Sequence, residues 1–441
     1  MPYPETGRAS GSVCTIVALR FPLHKESKME AIVERCCGLD VHQASVVACL
    51  LVGPANEKPK KIVRTYGATT NDLVALREWL ADEACTHVAM ESTGVYWLPV
   101  YIQLEGHFQL IVGNAMHIRN VPGRKTDVRD SEWIADLCRH GLIRASFVPP
   151  QPIRELRDLT RYRRKLTEAH TAEGNRLRRL LETACIKLGS VVSEILGVSA
   201  RLMLRALIDG TATPGQMAQL AKRRLRRKIP ELTLALDGRV TEHHRFLLRM
   251  QLDRVEQVER DLQKLDLRIN EKLVPYQSQL QRLMGIPGVD WIGAASIIAE
   301  LGVDMSIFKT EAHAAAWSGV CPGNNQSAGR SKGQPIRKGN YHLTTALVQA
   351  AVCASKQKDC YLRDKYWRLK ARRGPKRAAL AVAHKILVAA YHILKAPLVE
   401  YRDLGPTYLD KLAPERTKHN LVKRLEQLGF RVTLEPAPIA A

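Results

Sequence analysis

The ten cysteines of this sequence include no Cys-x-x-Cys pair. That absence removes the usual signature of a structural zinc site. The scattered placement, with only Cys36 and Cys37 adjacent, reads as reduced thiols and not as a disulfide framework. No apolar run approaches the ~18 residues a membrane helix needs, and the first thirty residues lack a signal-peptide layout. No membrane partner is expected, and a cytoplasmic location follows. Acidic residues are in deficit: 44 Asp and Glu face 67 Lys and Arg, for a formal net charge of +23 and a pI near 9.7. Such an imbalance argues for a polyanionic partner, of which nucleic acid is the usual one. A basic but unrelated enzyme is the alternative. A chain of 441 residues predicts two to three domains.

Residues 1–35 read as an N-terminal extension, and 36–148 as the first domain. Short apolar or β-branched runs at Cys36–Val41, Ser45–Val52 and Lys60–Ala68, broken by turn residues, predict three strands. Asn71–Ala81 has helical period, with Asn71 as the expected N-cap. His87–Glu91 predicts a strand ending on an acid, Gly94–Leu104 a helix, Phe108–Val112 a strand, and the stretch from Lys125 to about His140 a helix. Three strands, helix, strand, helix, strand, helix is the order of a ribonuclease-H-like α/β sheet, antiparallel at first and then parallel.

Pro149-Pro150-Gln151-Pro152 is a stiff break and the expected boundary. Residues 153–275 read as a basic helical linker. Leucines recur at helical spacing from Ile153 to about Lys187, while Arg161, Arg164 and Arg178 lie on the other faces, suited to a phosphate backbone or simply to solvent. Lys222 to Lys228 contains Arg223 and Arg226 and no acid, a density that favours nucleic acid. Leu248, Val255, Leu262 and Ile269 are spaced by seven, with Val258 and Leu265 between. That heptad predicts a coiled coil, within the chain or between subunits, or else one amphipathic helix packed in its own domain. Residues 276–400 read as a mainly helical domain. In it Leu283 to Leu301 has the form of a helix-hairpin-helix around Gly285-Ile286-Pro287-Gly288, whose turn amides can face a phosphate, although an ordinary helical hairpin looks the same. Residues 401–441 read as a C-terminal tail.

Two features carry chemistry. In Lys125-Thr126-Asp127-Val128-Arg129-Asp130 the two aspartates lie three apart and share a helix face. Asp40, in Gly38-Leu39-Asp40-Val41-His42, and Glu91, in Met90-Glu91-Ser92-Thr93-Gly94, end strands that can deliver them to the same edge. Four acids there suit one divalent metal ion, since hard cations take oxygen ligands. The plainer reading is helix capping and pairing with the neighbouring bases Lys125 and Arg129; Arg124 and Lys125 are expected to contact nucleic acid. The second feature is the glycine-rich loop Gly319 to Gly333. Ser327 stands in its middle, with Arg330, Lys332, Arg337 and Lys338 beyond. A serine among cations can attack a phosphodiester while they neutralise charge, or it can be an ordinary loop serine.

Taken in order, the Gly38–His42, Met90–Gly94 and Lys125–Asp130 motifs and the late Gly319-x-x-Pro322 to Ser327 loop resemble those of the DEDD insertion-sequence transposases, the bridge-RNA-guided serine recombinases. The resemblance runs from about Cys37 to Leu394. One departure is Ala328, which follows Ser327 where glycine is common in that family. The resemblance implies a RuvC-like domain whose acids, by match Asp40, Glu91, Asp127 and Asp130, bind Mg²⁺. It also implies a transposase domain whose serine, by match Ser327, links covalently to DNA. Implied partners are donor and target DNA, a structured noncoding guide RNA, and further copies of the chain in a tetramer assembled on DNA. The implied location is the bacterial cytoplasm and nucleoid. The rival expectations are a metal-dependent RNase-H-like junction nuclease without a covalent intermediate, and a non-catalytic nucleic-acid-binding assembly protein.

Overall fold

The computed structural model describes residues 31–121, 130–322, 326–327, 330–331 and 339–435. The chain divides into two compact units between Val148 and Pro149. The first unit contains strands β1 (Arg35–Val41), β2 (Ser45–Val52), β3 (Lys60–Gly67), β4 (His87–Glu91) and β5 (Gln109–Gly113). They form one sheet in the order β3-β2-β1-β4-β5. β1 pairs antiparallel with β2 and parallel with β4, and β4 pairs parallel with β5. Helices α1 (Thr70–Asp82), α2 (Trp97–Leu104), α3 (Ala115–Arg119) and α4 (described from Asp130 to Arg139) complete the unit.

Side chains alternate across a strand, and each face of this sheet has its own core. Cys37, Leu39, Val88 and Met90 pack with Leu73, Leu76 and Leu80 of α1 and with Val100 and Leu104 of α2. Cys36, Cys49 and Ala89 pack on the other face with Ile118 of α3 and Trp133, Ile134 and Leu137 of α4. Burial pushes the Cys49 and Cys85 thiols up to about 12, which keeps them protonated and structural. α4 lies directly on β1 at Gly38. A Cβ there would fall 2.2 Å from the Ala135 amide nitrogen and 2.3 Å from the Ser131 carbonyl oxygen. At the other end of α4, the guanidinium of Arg139 is buried and donates to the carbonyls of Gly53 and Pro54 at 3.2 and 2.6 Å.

Two local expectations change. The N-cap of α1 is Thr69, not Asn71. Thr69 has extended backbone and its hydroxyl accepts from the Asp72 amide, whereas Asn71 lies inside the first turn. The short α3 has no counterpart among the expected elements, because five residues are too few to show a helical period.

The second unit is helical: α5 (Gln151–Thr183), α6 (Leu188–Val191), α7 (Val198–Asp209), α8 (Pro214–Gln219), α9 (Ile229–Ala235), α10 (Glu242–Leu273), α11 (Gln277–Met284), α12 (Trp291–Leu301), α13 (Glu311–Ser318), α14 (Tyr341–Ala354), α15 (Tyr361–Arg373), α16 (Pro375–Lys395), α17 (Tyr408–Leu412) and α18 (Pro414–Gln427). A 3-10 helix spans Arg223–Lys228.

α5 and α10 lie antiparallel along each other. Glu155–Lys272 and Arg163–Asp266 pair at 2.5 Å and His170–Glu259 at 2.9 Å, so one index rises as the other falls. Of the heptad positions, Leu248, Val255, Val258 and Ile269 are buried and Leu262 and Leu265 are half-buried. Leu248 and Val255 join the cluster formed with α7 and α9, so part of the seam packs within its own helical group. The hairpin between α11 and α12 turns at Gly288, with φ +85°. A Cβ there would meet the Ala350 carbonyl of α14 at 2.2 Å, so this glycine serves the approach of a neighbouring helix. Among the described residues α16 is the one helix long and apolar enough to cross a membrane. Its Val382, Ile386, Leu387 and Tyr391 are buried.

Candidate active site

Asp40 and Glu91 stand side by side at the ends of two parallel strands. The register pairs Leu39 with Met90, and each acid follows its partner by one residue. Asp40 shares a sheet face with Cys36 and Gly38, and Glu91 with Ala89. This is the face α4 covers, and α4 is described from Asp130 onward. The bare Cα of Gly38 lets α4 approach closely enough for Asp130 to reach the same edge.

The electrostatics report this convergence. Burial raises the Asp40 carboxyl above its ordinary value, and the negative charges of Asp130 and Glu91 push it further. The charge and hydrogen bond of His42 oppose them. A carboxylate raised by two neighbours of the same sign marks a site with surplus negative charge. Hard oxygen donors around such a surplus fit Mg²⁺. Among the described residues no three His, Cys, Asp or Glu side chains already surround a common ion position. Instead the acids hold local partners. His42 Nε2 lies 3.1 Å from Asp40 Oδ2, the Thr93 hydroxyl donates to Glu91 at 2.5 Å, and Arg119 stands 3.9 Å from Glu91. His42 and Thr93 sit within the motifs that point to the acids, so their spacing of two residues was the available signal. Arg119 had none, because it arrives on α3.

Asp127, Arg124 and Lys125 lie outside the described residues, as do Lys332, Arg337 and Lys338. Gln326–Ser327 and Arg330–Ser331 form a short antiparallel pair, with Ser327 opposite Arg330.

The two ends of the loop that carries Ser327 are held together. The Asn340 amide donates to the Trp317 carbonyl at 3.2 Å, and the Thr344 hydroxyl donates to the Ser318 carbonyl. A Cβ on Gly339 would sit 2.4 Å from the Gly319 nitrogen. The side chain of Asn340 caps α14 and donates to Glu300 at 2.6 Å. Glu300 is 1% exposed. It accepts from Nε and Nη2 of Arg161 at 2.7 and 2.8 Å and pairs with Arg157 at 3.3 Å. Burial raises its carboxyl, but Arg161, Arg157 and Asn340 outweigh that and hold it below the usual range. The sequence signal for Glu300 is one acid at the end of the apolar run Trp291–Leu301.

Three arginines expected on nucleic acid are placed as follows. Arg161 is committed to Glu300, and Arg164 to Glu168 and the Tyr341 ring. Arg178 is half exposed, 3.9 Å from Glu194.

Comparison with known proteins agrees with both units. A family model for the DEDD-type IS110 element, described as a transposase, matches residues 37–186. A second model, described as the Transposase IS116/IS110/IS902 family, matches residues 280–368. Together they cover more than half of the chain. A probable family 20 transposase of Pseudomonas aeruginosa is 25% identical over 277 residues, spanning 61% of this chain and 72% of that protein. With Asp40, Glu91 and Asp130 near one sheet edge and both family segments matched in order, the chain belongs to the IS110-type DEDD transposases, enzymes that act on DNA.

Proposed function

We propose that this transposase cuts and rejoins donor and target DNA through a covalent serine–DNA intermediate, with Ser327 as nucleophile and a structured noncoding RNA pairing with both DNAs. The observation that supports it most is the acid cluster. Asp40 feels both Glu91 and Asp130 across the strand ends, the arrangement a phosphate-handling site needs before its cation arrives. Asp40, Glu91, Asp127 and Asp130 would hold Mg²⁺, which when bound supplies positive charge against the phosphate oxygens. His42 and Arg119 keep the carboxylates oriented.

In the covalent step the Ser327 Oγ attacks phosphorus. An O–P bond to serine forms, the bond to one deoxyribose oxygen breaks, and that oxygen takes the proton serine gives up. Return attack by a deoxyribose hydroxyl on the phosphoserine rejoins DNA and frees Ser327. Arg330, Lys332, Arg337 and Lys338 neutralise the phosphate meanwhile. Arg124, Lys125, Arg178, Arg223 and Arg226 contact backbone. The active form is a tetramer in which acids of one subunit serve the serine of another.

The experiment is a denaturing-gel search for a protein–DNA adduct, with the attachment site mapped by mass spectrometry. An adduct on Ser327 that disappears in Ser327→Ala is expected. Cleavage that persists in Ser327→Ala but not in Asp130→Asn would replace this reading with a hydrolytic nuclease.

A further inference from the structure

The helical segment between the two family matches contains a groove of about 1150 Å³. One wall is the Val191–Ala200 stretch leading into α7. The other is the start of the basic 3-10 helix, with Lys222, Arg223, Arg224 and Lys228 lining it. The Lys222 amide donates to the Ser199 hydroxyl at 2.9 Å, which ties the two walls together. All four cations are exposed. The acids nearby are Glu194, which lines the groove and stands 3.9 Å from Arg178, and Glu231, 4.0 Å from Lys228. Arg226 and Arg227 belong to the same run but do not line the groove.

Arg223 adds an independent observation. Its φ is +52°, a left-handed backbone that non-glycine residues rarely adopt. Asn or Gly would hold that turn with less strain. An arginine kept in this conformation, with its charge on a groove wall, points to use of the charge. Among the described residues no Phe, Tyr, Trp or His lines the groove. A stacking platform for bases is therefore absent, and what the groove offers is cations along a channel.

We infer that this groove grips the phosphate backbone of a nucleic-acid strand without reading its bases, as an anchoring site separate from the acids and from Ser327. It contributes affinity and salt dependence, not sequence choice.

The test is fluorescence anisotropy of the full chain with a mixed-sequence single-stranded RNA, the matching DNA strand and the DNA duplex, over a salt series. The groove variant is Lys222→Gln/Arg223→Asn/Arg224→Gln/Lys228→Gln. A charge-matched variant, Lys376→Gln/Arg377→Gln/Lys423→Gln/Arg424→Gln, removes the same charge from exposed positions outside the groove. Thermal melts establish that both fold. The groove variant should lose at least tenfold in affinity relative to the matched one on one of the strands. Its slope of log K against log salt should fall by about 3, at about 0.7 per lost contact on a single strand. The probe with the largest loss identifies the strand held. Equal weakening by the two variants, or no binding by the parent chain, overturns the inference. Binding alone is read, so the result is separate from whether Ser327 forms an adduct.

Discussion

Gly38→Ala tests how the site is assembled. The added methyl would lie 2.2 and 2.3 Å from backbone atoms of Ala135 and Ser131, where ordinary contact begins near 3.4 Å. Neither atom can rotate away, so α4 must lift from β1 by about 1 Å. That shift loosens the packing of Trp133, Ile134 and Leu137 against Cys36 and Ala89. Overpacking of this kind costs about 1–3 kcal/mol, or roughly 3–10 °C in the melting temperature of a unit this size. The shift also moves Asp130 from Asp40, and a displacement near 1 Å in a catalytic constellation costs on the order of 100-fold in rate. Gly113→Ala is the control. Its methyl would meet side-chain methyls, Cδ1 of Ile118 and Cγ2 of Ile143, at 2.7 and 2.8 Å, and side chains can shift where backbone cannot. Urea unfolding followed by tryptophan emission, beside strand cleavage of labelled DNA, reads both effects. If Gly38→Ala were as stable and as active as Gly113→Ala, the claim that α4 must touch β1 to place the acids would be wrong.

Asp40→Asn should stabilise the fold at neutral pH while abolishing DNA cleavage. A carboxyl raised in the folded state binds its proton more tightly there than in the unfolded chain, so stability falls as pH rises through the window above the ordinary carboxylate value. Asparagine removes that loss, and melts across pH 4 to 8 read it. The same variant should lose any stabilisation the parent chain gains from millimolar Mg²⁺, which would amount to about 2.7 kcal/mol at one hundred times Kd. Glu300→Ala should destabilise the second unit by about 1.5–3 kcal/mol, because it removes the buried carboxylate that the partly buried Arg157 and Arg161 and the Asn340 amide share. In the parent chain the Glu300 contribution is present above the ordinary glutamate value and fades as pH falls through its lowered one, which acid unfolding of parent and variant would separate. Arg139→Met should cost about 1–3 kcal/mol by removing the guanidinium donors to the Gly53 and Pro54 carbonyls, of which Pro54 keeps its Glu57 amide donor, measurable in the same urea titration.

Much of the first unit is legible in the sequence because its signals are local. Strand alternation, turn residues and the acids that end β1 and β4 lie within a few positions of one another, and the element order follows from them. The heptad of α10 is equally plain as a pattern. What the sequence leaves open is the partner of each pattern, since a period says which residues share a face and not what covers it. Only the tertiary structure pairs α10 with α5, sets Arg161 on a glutamate 139 residues away, and makes a strand glycine, Gly38, and a turn glycine, Gly288, into contact points for helices. Thr69 takes the cap of α1 from Asn71 for the same reason: the chain leaving β3 decides where the helix begins. The sequence by itself determined that acids would end neighbouring strands. That α4 lies close enough for Asp130 to join them was decided by packing, through one missing methyl at Gly38.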